Sequence, residues 1–303
     1  MTPTLTDDEL VVARFLARLT GRTRTNYADT LRRWRVWLGH HGTSLLCAVR
    51  QDVEEWAAGR RDAGIMPRTV CADLSHLHGF YLWAVQEGLA DEDPTSLVRR
   101  PAYGRSECPW LGPRDLARLL EVSTTWQDGL MAAHTHLWSL SGLRAGEPRI
   151  LRVEDMAVHD DRTTLAVSAT KTPGRERVTL PGSTARILTA AAGRRSRGTL
   201  LIHPLTGRPW TKATESNRMD QLCRAAGVPR VTPRGLRVSF ITLALAAGVP
   251  ERDVAASARL TSTATIRYYD RLWAQAERAA GPALEAYLHA GTLEPRAPQQ
   301  AGA

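Results

Sequence analysis

The stretch TPRGLRVSFITLALAAG, residues 232–248, decides how the rest of the chain is read. After Thr232-Pro233, the apolar residues Leu236, Phe240, Leu243 and Ala247 recur at a helical period, which predicts a helix over residues 233–247 with one buried face. Arg234 and Arg237, three apart, share the other face and can converge on one anion, where a guanidinium fork matches phosphate oxygens. An isolated Arg-x-x-Arg is more often two solvated arginines, so the reading depends on what stands before and after it.

Before it stands Ser141-Gly142-Leu143-Arg144-Ala145-Gly146-Glu147, a glycine turn that puts an arginine at a helix start with a carboxylate three residues on. Alone, Arg144 and Glu147 would read as a surface ion pair. A short helix is expected to run on to about Leu151, and Pro148 fits it only in a first turn. After it stands Thr265-Ile266-Arg267-Tyr268-Tyr269-Asp270-Arg271, where tyrosines sit beside arginines rather than in an apolar stripe. A phenol becomes a nucleophile when its proton is removed and its target's charge is neutralised, which arginines around a phosphodiester would provide; a packed aromatic pair is the plainer alternative.

The bulk of the chain is consistent with a polyanionic partner. Its 303 residues give room for about two domains, and the formal charge of +9 suits binding that releases counterions from phosphates. Only Lys171 and Lys212 are lysines among 40 basic residues, so the charge also reflects a general preference for arginine. The four cysteines, Cys47, Cys71, Cys108 and Cys223, lie too far apart for a zinc site or a disulfide framework. No apolar run approaches a membrane span, and Asp7, Asp8 and Glu9 replace the basic start of a secretory signal, so the expected location is the cytoplasm.

Up to about Arg100 the pattern is helical, with four helices expected near residues 8–19, 25–38, 52–63 and 67–87. Tyr27, Leu31, Trp34 and Leu38 form the stripe of the second, and Leu74, Leu77, Tyr81 and Ala84 that of the fourth. Residues 93–113 carry Pro94, Arg99, Arg100, Pro101, Gly104, Pro109 and Pro113, a basic linker in composition. Beyond it helices are expected near 113–121, 127–140, 183–192, 212–226, 251–258 and 272–288. Two strands near 163–169 and 177–180 flank a turn, Lys171-Thr172-Pro173-Gly174. The fold class is mainly α with a small β-sheet, and residues 291–303 read as a disordered tail.

Taken together, Gly142-Leu143-Arg144 with Glu147, a lysine on a β-turn, then Arg237, Gly248 and Tyr269 resemble the catalytic domain of the tyrosine recombinase (phage integrase) family. The segment Leu236–Tyr269 looks like it without a gap, and the likeness extends over roughly residues 9–289. It implies a helical, SAM-like core-binding domain over residues 1–100, a basic linker over 101–112 and a mixed α/β catalytic domain over 113–290. It implies a site-specific DNA recombinase working through a covalent 3′-phosphotyrosine, with no cofactor and no metal. In that register Arg144 and Arg237 hold the scissile phosphate, Arg234 occupies a further catalytic position beside them, Lys171 protonates the leaving 5′ oxygen, and Tyr269 is the nucleophile. Lysine suits that task because arginine gives up its proton poorly. The implied partners are double-stranded DNA, contacted also by Arg24, Arg32, Arg68, Arg99 and Arg100, and further copies of the chain in a tetramer on DNA. A DNA-bending or directionality protein is a further expected partner, and the helix near 272–288 is expected to join neighbouring protomers.

The chain departs from the family pattern at two positions. Arg234 stands where the family usually has histidine, and Arg259-Leu260 stands where it has Gly-His or Gly-Trp, nine residues before the nucleophile. Leucine neither donates to a phosphate oxygen nor shuttles a proton, which makes Arg259 a candidate supporting residue alongside Glu147. Tyr268 competes with Tyr269, although the gapless spacing favours Tyr269. A DNA-binding member without catalysis and a type IB topoisomerase are the alternative readings.

Overall fold

The computed structural model describes residues 7–104, 108–126, 129–159, 162–168, 175–260 and 266. Contacts divide the chain into two units, Met1–Ser106 and Glu107–Ala303.

The first unit is four helices: α1 (Asp7–Ala17), α2 (Gly21–His40), α3 (Arg50–Asp62) and α4 (Pro67–Gln86). The stripes expected from the sequence form its core: Leu31, Trp34, Leu38, Leu74, Leu77, Tyr81 and Ala84 are all buried. Phe15 of α1 meets Phe80 of α4 edge to face, with ring centroids 5.3 Å apart. Two buried aromatic polar groups are chained together: Trp34 Nε1 donates to Tyr81 Oη at 2.8 Å, and Tyr81 Oη donates to the Leu45 carbonyl at 2.8 Å. One acid interrupts the α4 stripe. Asp73 is 3% exposed and accepts from Thr30 Oγ1 at 3.0 Å, Arg33 Nη2 at 2.7 Å and Arg60 Nη2 at 2.6 Å, tying α2, α3 and α4 together.

The second unit begins with α5 (Pro113–Thr124) and α6 (Leu130–Ser139), followed by β1 (Met156–His159), β2 (Arg162–Ser168) and β3 (Arg175–Thr179). The strands form an antiparallel sheet in the order β1-β2-β3, with Leu165 opposite Met156 on one side and Val178 on the other. Then come α7 (Gly182–Ala192), α8 (Lys212–Ala226), α9 (Pro233–Ala246) and α10 (Glu251–Ala258). Leu137, Trp138, Leu165, Val178, Leu188, Leu222 and Leu236 belong to one core of helices and sheet.

Three expectations are corrected. The helix expected between Arg144 and Leu151 is only a 3-10 turn, Pro148–Ile150, in which Pro148 takes the first position and so leaves no helical hydrogen bond unmade. β1 was not expected; its four residues grade from half-buried to exposed without the alternation that marks a strand. The third concerns α9, which is buried around most of its girth, since Arg237, Val238, Ser239, Ile241 and Thr242 are enclosed along with Leu236. Gly235 makes that enclosure feasible, because a Cβ there would lie 2.1 Å from the Pro109 carbonyl oxygen. The helix expected near 272–288 lies outside the described residues.

Candidate active site

The turn that follows α6 places its groups by backbone geometry. Gly142 has φ +60°, a left-handed conformation, and a Cβ on it would sit 2.6 Å from the Phe240 ring of α9. Its carbonyl oxygen accepts from Arg237 Nη1, and Arg237 Nη2 donates to the carbonyl of Ala258. Two residues past Gly142, Arg144 begins the next turn. Its backbone N–H donates to Glu147 Oε2 at 2.6 Å, its Nη1 to Glu147 Oε1 at 3.0 Å and its Nη2 to the Arg259 carbonyl at 2.8 Å.

The C-terminal end of α10 therefore holds both arginines, Arg237 through Ala258 and Arg144 through Arg259. Carbonyls at a helix C-terminus lack intrahelical partners and carry partial negative charge, so they suit guanidinium donors. Arg259 closes this end in a left-handed conformation, φ 52° and ψ 51°, and is the only non-glycine residue with positive φ among those described. Its side chain turns inward, donates to Glu147 Oε2, and brings Nε to 3.4 Å from Glu176 Oε2 on β3.

Two guanidinium groups, of Arg144 and Arg259, thus hold one buried carboxylate, Glu147, while Arg237 is tied to the same turn through the Gly142 carbonyl. Their exposure is graded: the Arg144 side chain is 38% exposed, that of Arg259 2%. Burial lowers the pKa of Arg259 from its usual value, Glu147 opposes that shift, and the charge of Arg144 adds to it. The arrangement is a cluster of guanidinium groups in which Arg144 reaches solvent, suited to an oxyanion that accepts from Arg144 with the charge of Arg237 nearby.

Arg144, Arg237, Glu147 and Arg259 are brought together as candidate site residues. Arg234, three residues before Arg237 on α9, is exposed on the first turn while Arg237 is enclosed, and no contact ties it to this cluster among the described residues. Leu260 packs with Ile241, Val254 and Ala258, an apolar environment that offers no donor. Lys171, Tyr268 and Tyr269 lie outside the described residues. Arg24, Arg32, Arg68, Arg99 and Arg100 are exposed on the first unit, where Arg100 Nη1 donates to Ser75 Oγ at 2.7 Å. Arg61, Arg99 and Arg100 line one depression there together with Glu54.

A second buried cluster went unnoticed in the sequence. Glu215 of α8 accepts from Arg149, and its Oε1 lies 3.5 Å from His134 Nε2 of α6; burial pushes its pKa up to about 7 against the pull of Arg149. It anchors the turn that follows Glu147. An acid amid the polar face of a helix carries no sequence mark of burial.

The model of the Phage integrase family matches residues 109–275, more than half of the chain, and that of the Phage integrase N-terminal SAM-like domain matches residues 10–88. The chain belongs to the phage integrase family. Among its relatives, tyrosine recombinase XerD of Pseudomonas putida is 27% identical over 260 residues, covering 82% of this chain and 86% of that protein. Tyrosine recombinase XerD of Caulobacter vibrioides is 28% identical, covering 86% and 88%. Among solved structures, a lambda integrase dimer bound to a COC′ core site has a TM-score of 0.68 at 16% identity, covering 86% of this chain and 93% of that one. XerH site-specific recombinase bound to a palindromic difH substrate has a TM-score of 0.71 at 16% identity, covering 87% and 80%. These two likenesses establish the integrase-type fold. No helix among the described residues is long and apolar enough to cross a membrane.

Proposed function

We propose that this tyrosine-type site-specific recombinase cuts and rejoins duplex DNA with Tyr269 as nucleophile and Arg144 and Arg237 on the scissile phosphate. The Tyr269 oxygen, its proton released to solvent, bonds to phosphorus as the bond to the 5′ oxygen breaks, and the departing oxygen takes its proton from Lys171. The 3′-phosphotyrosine conserves the bond, so that attack by a 5′ hydroxyl reverses the step with no metal or cofactor. The single observation that carries this reading is the pairing of Arg144 and Arg237 on consecutive carbonyls at the end of α10, with Glu147 beneath Arg144. Charge that builds on the non-bridging oxygens would meet donors already held in place.

Arg234 serves on this reading as an outer phosphate contact, in keeping with its exposure. The helical unit over residues 1–100 grips DNA through Arg24, Arg32, Arg68, Arg99 and Arg100, and the segment 101–112 leads into the catalytic unit over 113–290. The chain acts in the cytoplasm as a tetramer on two duplexes, assisted where needed by a bending or directionality protein.

The test is covalent trapping on a nicked suicide duplex whose site the protein itself has selected from a randomised pool. A covalent band in the wild type and in Tyr268→Phe, and none in Tyr269→Phe, is the expected result. Selective binding with no band from the wild type would make the chain a DNA-binding member without catalysis, the outcome that the apolar setting of Leu260 favours.

A further inference from the structure

We propose that Arg259 is a positioning residue that holds Glu147, so that Arg144 is oriented by a carboxylate without being neutralised by it. The inference rests on the recombinase reading above and concerns how its arginine pocket stays cationic.

The geometry is specific. Glu147 Oε1 takes Arg144 Nη1, whereas Oε2 takes both the Arg144 backbone N–H and Arg259 Nη2. Arg259 therefore grips Arg144 twice, through the shared carboxylate and through its own carbonyl oxygen. That carbonyl points to Arg144 because the residue closes α10 in the left-handed region, where glycine would be the unstrained choice. An arginine persists there although its backbone is disfavoured, and the contacts of its enclosed guanidinium offset the strain.

Charge explains what the guanidinium adds. A buried arginine and carboxylate in a one-to-one pair carry no net charge, and such a pair would attract an incoming phosphodiester weakly. With Arg259 on the same carboxylate, the trio of Arg144, Arg259 and Glu147 is net +1; Glu176, 3.4 Å from Arg259 Nε, offsets part of that charge, but its side chain is half exposed and water screens it. Arg259 Nη1 has no hydrogen-bond partner among the described residues, so part of its donor capacity is not spent on Glu147. Leu260 beside it contributes only apolar contact. The charge that the pocket needs is thus supplied from the neighbouring position, one residue earlier.

The experiment is a double-mutant cycle in the full chain, read by the rate of covalent complex formation on the self-selected suicide duplex. Arg259→Gly relieves the backbone but removes one partner of a buried carboxylate, so its Tm need not rise above that of the wild type and is measured alongside, while its rate at a temperature where both are folded falls about 10- to 100-fold. Glu147→Gln should slow the otherwise wild-type chain, because Arg144 loses its orienting carboxylate. In the Arg259→Gly background the same change should speed the reaction about fivefold or more, because an excess negative charge is removed. Arg259→Lys, which keeps the charge and loses the fork, should lie between wild type and Arg259→Gly, and it serves if the glycine variant is poorly folded.

A second readout needs no cleavage. In Tyr269→Phe, binding is compared between duplexes with a phosphodiester and a neutral methylphosphonate at the scissile position; the preference for the charged duplex should shrink about fivefold or more with Arg259→Gly. Cleavage by Arg259→Gly within about twofold of wild type overturns the inference, as does a Glu147→Gln effect of the same sign in both backgrounds, or an unchanged methylphosphonate preference. Should the wild type itself form no covalent complex, the catalytic reading fails, and the binding comparison still decides the role of Arg259.

Discussion

Arg237 reaches across 95 residues of chain to donate to the carbonyl oxygen of Gly142, and with its other terminal nitrogen it reaches the carbonyl of Ala258. One guanidinium thus joins the turn after α6 to the end of α10, and it does so from inside α9. Arg237→Lys keeps a positive charge but replaces a planar fork by a point donor that cannot span both carbonyls in the same geometry. Leaving one of them unpaired should cost about 1–3 kcal/mol, measured by urea denaturation. Covalent complex formation should fall about 100-fold or more, a loss too large to follow from stability alone.

Gly142→Ala removes no chemical group from the site. Its Cβ would meet the Phe240 ring at 2.6 Å, on a backbone with φ +60°. A destabilisation of about 1–3 kcal/mol is expected, together with a loss of cleavage, because the displaced carbonyl no longer seats Arg237. Wild-type stability and cleavage in this variant would count against the role given to the turn.

Asp73→Asn should destabilise the first unit by about 2–3 kcal/mol, since Arg33 and Arg60 both lose their charged partner at a nearly closed site. The value is set below that of a fully enclosed pair because the Arg33 side chain is 35% exposed and water screens part of its charge. Urea unfolding followed by tryptophan fluorescence would report it, as Trp34 and Trp56 lie in the same core.

Glu215 should make stability fall with rising pH. Its folded pKa is pushed up to about 7 from the ordinary 4.5, so between these values the folded chain binds more protons than the unfolded one. Its contribution is full below about pH 4.5 and is lost as pH rises through 7. Urea midpoints between pH 5 and 8 should show a slope in the wild type that Glu215→Gln reduces. An equal slope in both would show that the group is already ionised at pH 5, held so by Arg149.

Much of the architecture was legible because local rules and global packing agree. Pro67, Pro113 and Pro233 open α4, α5 and α9, and the periods of α8 and α10 run to the same ends in sequence and structure. The rule misled where an element is neither one-sided nor alternating. β1 is a four-residue edge strand held by pairing to β2, and α9 is enclosed on nearly all sides, so a two-faced pattern gave no sign that Arg237 is buried while Arg234, three residues before it, is exposed.

The sequence by itself determined the family, the helical first third and the order in which Arg144, Lys171, Arg237 and Tyr269 occur. Those are properties of residue type and spacing along one chain. Only the tertiary structure decided that Arg259 joins Arg144 on Glu147, and that Arg144 and Arg237 meet consecutive carbonyls at the end of α10. The reason is physical: periodicity tells which way a side chain leaves its own helix, but the partner of a buried charge is set by whichever distant backbone ends meet there. Here a left-handed residue closing α10 turned both a carbonyl and a guanidinium toward the turn after α6, a meeting of segments more than 100 residues apart that no local spacing records.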